Sequence, residues 1–111
     1  MARQIIFHGD YFSDFYNDLG SKVKEKINYV FVLIKQLDRV PVKFLAPMTG
    51  HDGLFEIRVE YQSNIYRIFC CFDQGQLVVL FNGFQKKTQK TPKDEIDRAM
   101  RLKEEYFKSK K

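Results

Sequence analysis

The sequence predicts a small α+β domain, with helices packed on one face of a curved antiparallel sheet in the order β-α-α-β-β-β-α. Three observations predict it. Apolar residues recur at intervals of three and four from Tyr11 to Leu37, which is helical spacing. The interval then changes to two, where Phe55, Ile57, Val59 and Tyr61 alternate with Glu56, Arg58 and Glu60. Length sets the scale, since residues 1–111 are a single domain's worth of chain. A chain of that size buries roughly 65% of its unfolded surface and needs no disulfide or metal staple.

Taken in order, Arg3 to His8 is a short apolar run that reads as a strand, and His8-Gly9-Asp10 breaks it. Asp10 is a helix N-cap by residue type. Tyr11, Phe12, Phe15, Tyr16 and Leu19 give the first helix its apolar side. Gly20 can close that helix and Ser21 can cap the next. Val23, Ile27, Val30, Phe31, Ile34 and Leu37 form the stripe of a second helix, which ends before Pro41. The two make a helical hairpin with an aromatic-rich inner face. Val40 to Gly53 reads as a loop, punctuated by Pro41, Pro47, Gly50 and Gly53.

After the alternating strand, Gln62-Ser63-Asn64 turns the chain into a strand over Ile65 to Phe72. Asp73-Gln74-Gly75-Gln76 is the next hairpin turn. Leu77 to Phe81 is apolar throughout, the mark of a central strand covered on both faces. Residues 82–88 then leave the sheet. In Thr91-Pro92-Lys93-Asp94, Thr91 is the cap and Pro92 fits the first helical position. Ile96, Ala99, Met100, Lys103 and Phe107 mark one face of this last helix.

Composition narrows the function. Hydrophobic residues make up 44% and charged residues 30%, the balance of a folded, water-facing chain. The longest apolar run is Tyr29 to Ile34, six residues, where a membrane-spanning helix needs about 20. The N-terminal segment has neither the apolar stretch nor the cleavage pattern of a secretory signal. Cys70 and Cys71 are neighbours, so in a strand they point to opposite faces. Two reduced thiols suit a reducing cytoplasm. His8 and His51 lie far from them in sequence, and no metal-ligand spacing is visible. Charge is uneven. Residues 1–85 hold nine Lys/Arg and nine Asp/Glu, whereas residues 86–111 hold ten and five. The excess that gives the net +5 therefore lies in the last 26 residues, and points to a polyanionic partner.

The informative cations lie among the aromatic strands. A two-residue loop at Gln62-Ser63 pairs Tyr61 with Asn64 and sets Arg58 opposite Arg67, with Cβ atoms about 5 Å apart. Two like charges there need a compensating anion. Glu56, opposite Phe69, can reach Arg58 and make an Arg–Glu network that props up the sheet. The competing reading is a bidentate clamp for a phosphate, which the planar guanidinium suits better than an ammonium. Lys86 and Lys87 follow at the end of the last strand, where they can converge on the same point. Phe84 and Tyr66 are aromatic enough to stack on a base, or simply to fill the core. His51 is a loop histidine able to swing toward the site for proton transfer, and His8 reads as structural.

Lys43-Phe44-Leu45, Gly53-Leu54-Phe55-Glu56-Ile57-Arg58-Val59, Asn64-Ile65-Tyr66-Arg67-Ile68 and Asn82-Gly83-Phe84-Gln85-Lys86-Lys87-Thr88-Gln89-Lys90-Thr91-Pro92, followed by Glu95-Ile96-Asp97-Arg98-Ala99, occur in that order. In this order and layout the chain resembles the RelE/HigB superfamily of bacterial toxins of type II toxin–antitoxin systems, within its phage-derived HigB-like branch. The resemblance implies a RelE-like fold and cleavage of mRNA in the ribosomal A site. It also implies a cognate helix-turn-helix antitoxin. It carries catalysis to Arg58, Arg67, Lys86 and Lys87 and a basic, RNA-binding position to Lys43; Phe84 and Lys90 stand beside these as further RNA-binding candidates. It calls for no cofactor, metal or membrane. Asn82 occupies a place where relatives often carry histidine, which leaves no obvious proton acceptor; the candidates are His51 and a lysine whose pKa is lowered by neighbouring cations. The expected chemistry is attack of a 2′-OH on the adjacent phosphorus. The alternative is a non-catalytic module that holds RNA or an antitoxin and serves as corepressor.

Overall fold

The structure, a computed structural model, describes residues 2–110. Its elements are β1 (Gln4–Phe7), α1 (Tyr11–Asn17), α2 (Ser21–Gln36), β2 (Leu45–Pro47), β3 (Phe55–Tyr61), β4 (Asn64–Asp73), β5 (Leu77–Lys86) and α3 (Lys93–Ser109). They form the expected α+β architecture around a five-stranded sheet ordered β1-β5-β4-β3-β2. Among the described residues no helix is long and apolar enough to cross a membrane.

Four features differ from the sequence expectation. The sheet is mixed, because β1 runs parallel to β5, from Gln4 beside Leu77 to Phe7 beside Leu80. Such a pairing depends on contacts remote in sequence, which local patterning does not encode. The segment read as a loop contains β2, a three-residue edge strand on β3; Pro47 in it suits an edge, where an N–H is expendable. β5 continues five residues beyond Phe81, to Lys86. Lastly, the helices lie on both faces of the sheet.

The two faces are two cores. Phe12, Val23, Ile27, Val30 and Ile34 of α1 and α2 pack on Ile57, Val59, Tyr66, Ile68, Cys70, Val78 and Leu80. On the other face Ala99 and Leu102 of α3 pack on Phe69, Cys71, Val79, Phe81 and Phe84. The α2 stripe was legible because its apolar residues repeat at the helical period. Its C-terminus is tied to the start of the sheet by Arg3, whose guanidinium donates to the carbonyls of Ile34, Leu37 and Asp38 at 2.9, 2.6 and 2.9 Å. The Ile34 carbonyl is one that a helix end leaves unpaired, and Leu37 and Asp38 follow directly after the helix. The capping residues are shifted from expectation: Gly20 precedes α2 and Pro92 precedes α3, neither with a side-chain cap.

A bulge governs the far half of β5. Ile68 pairs with Gly83, but Cys70 pairs with Leu80, so Phe81 and Asn82 together oppose Phe69. One extra residue reverses the alternation beyond it. Phe81 and Phe84, which plain alternation would send to opposite faces, both pack in the α3-side core. The side chain of Asn82 also turns to α3, its Nδ2 donating to the carbonyl and to Oε1 of Glu95 at 3.1 and 3.0 Å. Gly83 faces α1 instead. A Cβ there would stand 2.6 Å from the ring of Phe15, so the close approach of α1 to the sheet needs the missing side chain.

Cys70 and Cys71 are free and buried, one in each core. Burial pushes the Cys70 thiol well above its ordinary range and the Cys71 thiol up to about 11. Neither is the ionised thiolate that nucleophilic or metal chemistry needs.

Candidate functional site

The α3 face of the sheet is only partly covered. Beyond the reach of the helix, Glu56, Arg58 and Glu60 of β3 face the same side as Arg67 of β4. The pairing is the one the two-residue turn predicts: Tyr61 with Asn64, Arg58 with Arg67, Glu56 with Phe69. Gln62 and Ser63 hold φ of 48° and 70° to close it, the positive values that a two-residue hairpin turn of this type demands.

Glu56 is buried, 5% exposed, and one of its oxygens serves both arginines. Arg58 Nε donates to Oε2 at 2.8 Å, and Arg67 Nε lies 3.6 Å from the same atom. The second distance is an ion pair without a hydrogen bond. Glu56 Oε1 and Arg67 Nε are both enclosed and without a hydrogen-bond partner. A buried guanidinium pair would repel; a carboxylate between them offsets that repulsion. Arg67 feels the burial most, and it lowers this guanidinium from its ordinary value, with Glu56 opposing the shift and Arg58 adding to it. The remaining bonds orient the two forks. Arg67 Nη1 donates to the Tyr66 carbonyl at 3.2 Å, and Arg58 Nη1 makes a long 3.4 Å contact to the Val42 carbonyl. Among the described residues Nη2 of neither arginine donates to a protein acceptor.

In front of them opens a concavity of about 370 Å³, lined by Lys26, Lys43, Phe44, Arg58, Glu60, Gln62, Ser63 and Arg67. Lys26 comes from α2 and Lys43 from the connection before β2. That connection is tied to β3, where the Arg58 N–H donates to the Phe44 carbonyl at 2.8 Å. Glu60 is the exposed carboxylate of the group.

The residues assigned from sequence are distributed unevenly around this site. Arg58, Arg67 and Lys43 share the concavity. Lys86 is half-buried and pairs with Ile65, one row along the same face of the sheet from Arg67. It reaches that face because of the bulge. Lys87 and Lys90 are exposed beyond the strand, outside the lining. Phe84 is 8% exposed, with its ring 5.7 Å from that of Phe69, and Tyr66 is buried on the opposite face near Phe15. In this arrangement both rings are core, not open stacking platforms. His51 lies in the turn after β2, where its N–H donates to the Met48 carbonyl at 3.2 Å, and it does not line the concavity. His8 is structural: Nε2 meets Glu105 Oε1 at 2.8 Å, and its ring lies edge-on to Phe81 and Tyr106.

Three members were missed by sequence reasoning. Lys26 is one of several lysines on α2, and nothing in its spacing marks it. Glu60 reads as the polar side of a strand. Glu56 was visible as a pairing partner, but its role as a bridge between two arginines depends on burial.

Comparison with known proteins adds one positive finding. The family described as phage derived protein Gp49-like (DUF891) matches residues 14–104, which span every side chain of the concavity. No curated protein is similar enough to the chain to count as a match.

Proposed function

The chain belongs to the phage-derived Gp49-like family, a toxin-like family, and on that premise we propose that it is the toxin of a type II toxin–antitoxin system, an endoribonuclease cutting mRNA on the ribosome. The observation that carries this reading is the pair of opposed arginines with Nη2 of each uncommitted, at the floor of an open polar concavity. Two guanidinium forks held side by side match the oxygens of one phosphodiester.

In the proposed reaction the RNA supplies its own nucleophile. The 2′-oxygen forms a bond to phosphorus while the bond from phosphorus to the 5′-oxygen breaks, giving a 2′,3′-cyclic phosphate and a free 5′-hydroxyl. Arg58 and Arg67 neutralise the phosphorane, whose extra charge is where fixed donors act most strongly. Glu56 is a positioning residue, enclosed behind the arginines and holding them together. Glu60, exposed in the same concavity, takes the 2′-OH proton. Lys86, on the same face of the sheet, is the cation that returns a proton to the leaving oxygen. His51 has no part in this scheme. A helix-turn-helix antitoxin as partner, with ribosome and mRNA as target, belongs to the proposal.

One observation favours a second reading, a module that binds RNA or antitoxin without cutting. Glu56 already occupies Arg58 Nε at 2.8 Å. The experiment that separates the two is mRNA cleavage in a purified translating system, with and without ribosomes, for the wild type, Arg67→Ala and Lys86→Ala. Cuts that require ribosomes and fall away in the variants support the toxin reading. Cuts without ribosomes revise the substrate to free RNA. Binding without cuts, from folded protein, supports the second reading.

A further inference from the structure

We infer that the concavity is a two-phosphate site, in which Lys26 and Lys43 receive the phosphate adjacent to the one on Arg58 and Arg67. The inference rests on the ribonuclease reading and gives its substrate a minimum size, a trinucleotide segment with two consecutive phosphodiesters.

Charge is the first ground. The lining brings together four cations from three parts of the chain, Lys26, Lys43, Arg58 and Arg67. The carboxylates beside them are Glu56, which pairs with both arginines, and Glu60. The cluster is thus left with two positive charges. A single phosphodiester neutralises one of them; two consecutive ones neutralise both.

Partnering is the second ground. Glu56 serves the arginines, yet among the described residues neither lysine has a carboxylate within ion-pair distance. Lys43 Nζ stands 5.5 Å over the ring of Phe44, and Lys26 Nζ stands 5.5 Å over the ring of Tyr29. Elsewhere some lysines are paired, as Lys22 with Glu25, Lys93 with Asp97 and Lys108 with Glu104, while others, Lys24 and Lys103 among them, stand over a ring as these two do. What sets Lys26 and Lys43 apart is that both face one concavity, beside the two arginines.

Space and rigidity are the third. A volume of about 370 Å³ equals roughly a dozen waters at about 30 Å³ each, more than one phosphate group fills. The connection that carries Lys43 is fastened to Arg58 itself, through the Phe44 and Val42 carbonyls. The backbone on either side of Lys43 is therefore held against the strand that carries Arg58, as recognition of consecutive phosphates along one strand requires. Gln62 and Ser63 complete the lining with neutral polar groups.

The test uses non-cleavable probes on the intact chain. One is a thymidine deoxytrinucleotide with two phosphodiesters; two others have one linkage, 5′ or 3′, replaced by a neutral methylphosphonate. The bases are then constant and only charge changes. The wild type is expected to bind the doubly charged trimer about tenfold tighter than the weaker methylphosphonate, with a salt slope steeper by about 0.7. In the double variant Lys26→Gln, Lys43→Gln that preference collapses to less than about twofold. Arg67→Gln weakens all three trimers. Equal binding of the three by the wild type overturns the second subsite, as does a double variant that keeps the preference. A full preference that Arg67→Gln leaves untouched keeps the lysine subsite and overturns the arginine reading beneath it.

Discussion

Among the described residues two carboxylates are buried against this sheet, at opposite ends of its α3 face, and they are treated differently. Asp73, at the end of β4, is 7% exposed. It accepts a hydrogen bond from the Tyr106 hydroxyl at 2.8 Å and pairs with the Lys110 ammonium. The hydrogen bond from Lys110, then that from Tyr106, hold its pKa below the ordinary carboxylate value. Glu56, at 5% exposure, has its charge shared between two arginines and one oxygen with no partner at all. The first arrangement is closed and fastens α3 to the sheet. The second is open on its cationic side and leaves donors for something else. The difference teaches that burial of a charged group does not by itself mark a site. What marks it is an unfinished set of partners next to open space.

Substitutions at the two positions should therefore fail in different assays. The largest effect is expected at Glu56→Gln. The side chain keeps its size but no longer offsets the Arg58–Arg67 repulsion, so mRNA cleavage falls by about two decades while RNA affinity, with one anion fewer, stays level or rises. Separate measurement of kcat and KM checks this. A loss confined to KM would remove Glu56 from its positioning role. At Asp73→Asn the effect moves to stability. Tm falls by about 5 °C in a thermal melt, with cleavage unchanged. A cleavage defect there would make the two carboxylates alike and break the comparison.

pH sharpens the contrast further. The folded pKa of Asp73 is depressed, so its stabilisation is present above the ordinary 3.8 and is lost as pH falls through the lower folded value. Tyr106 goes the other way, pushed up to about 12 from 10 by burial and then by its bond to Asp73. Its stabilisation is present below pH 10 and is lost as pH rises from there through about 12. Melts across both ranges should narrow at each end, and Asp73→Asn should flatten the acid limb. The smallest effect expected is at Lys87→Ala, less than about threefold on cleavage, because this exposed lysine is outside the concavity.

How much of this could be read from sequence differs by element. The Arg58–Arg67 pairing was legible because a two-residue loop pins register, and register fixes which side chains oppose. The α2 core was legible from its period. The opposite placement of α3 was not, since the residues that bury it, Ala99 and Leu102, stand in a helix otherwise dominated by charge, and a periodic face does not say which side of a sheet it meets. β1 was legible as a strand but not as a parallel edge. Lys26 carried no signal, because only tertiary packing brings α2 to the mouth of the concavity. Phe84 reads equally well as a stacking ring or a core ring until the bulge beside it is known.

That bulge makes the end of β5 behave like text with a reading frame. Deleting Asn82 would only remove the bulge and leave the later residues on their own sides, but inserting one alanine between Asn82 and Gly83 would make every later residue of the strand change sides. Phe84 would be turned toward α1 and Lys86 away from the arginines. The void opposite Phe15 would be filled by a larger residue in place of Gly83. Substitutions along this stretch are edits to single letters; one added residue is a frameshift in space, and it would scramble core and site together.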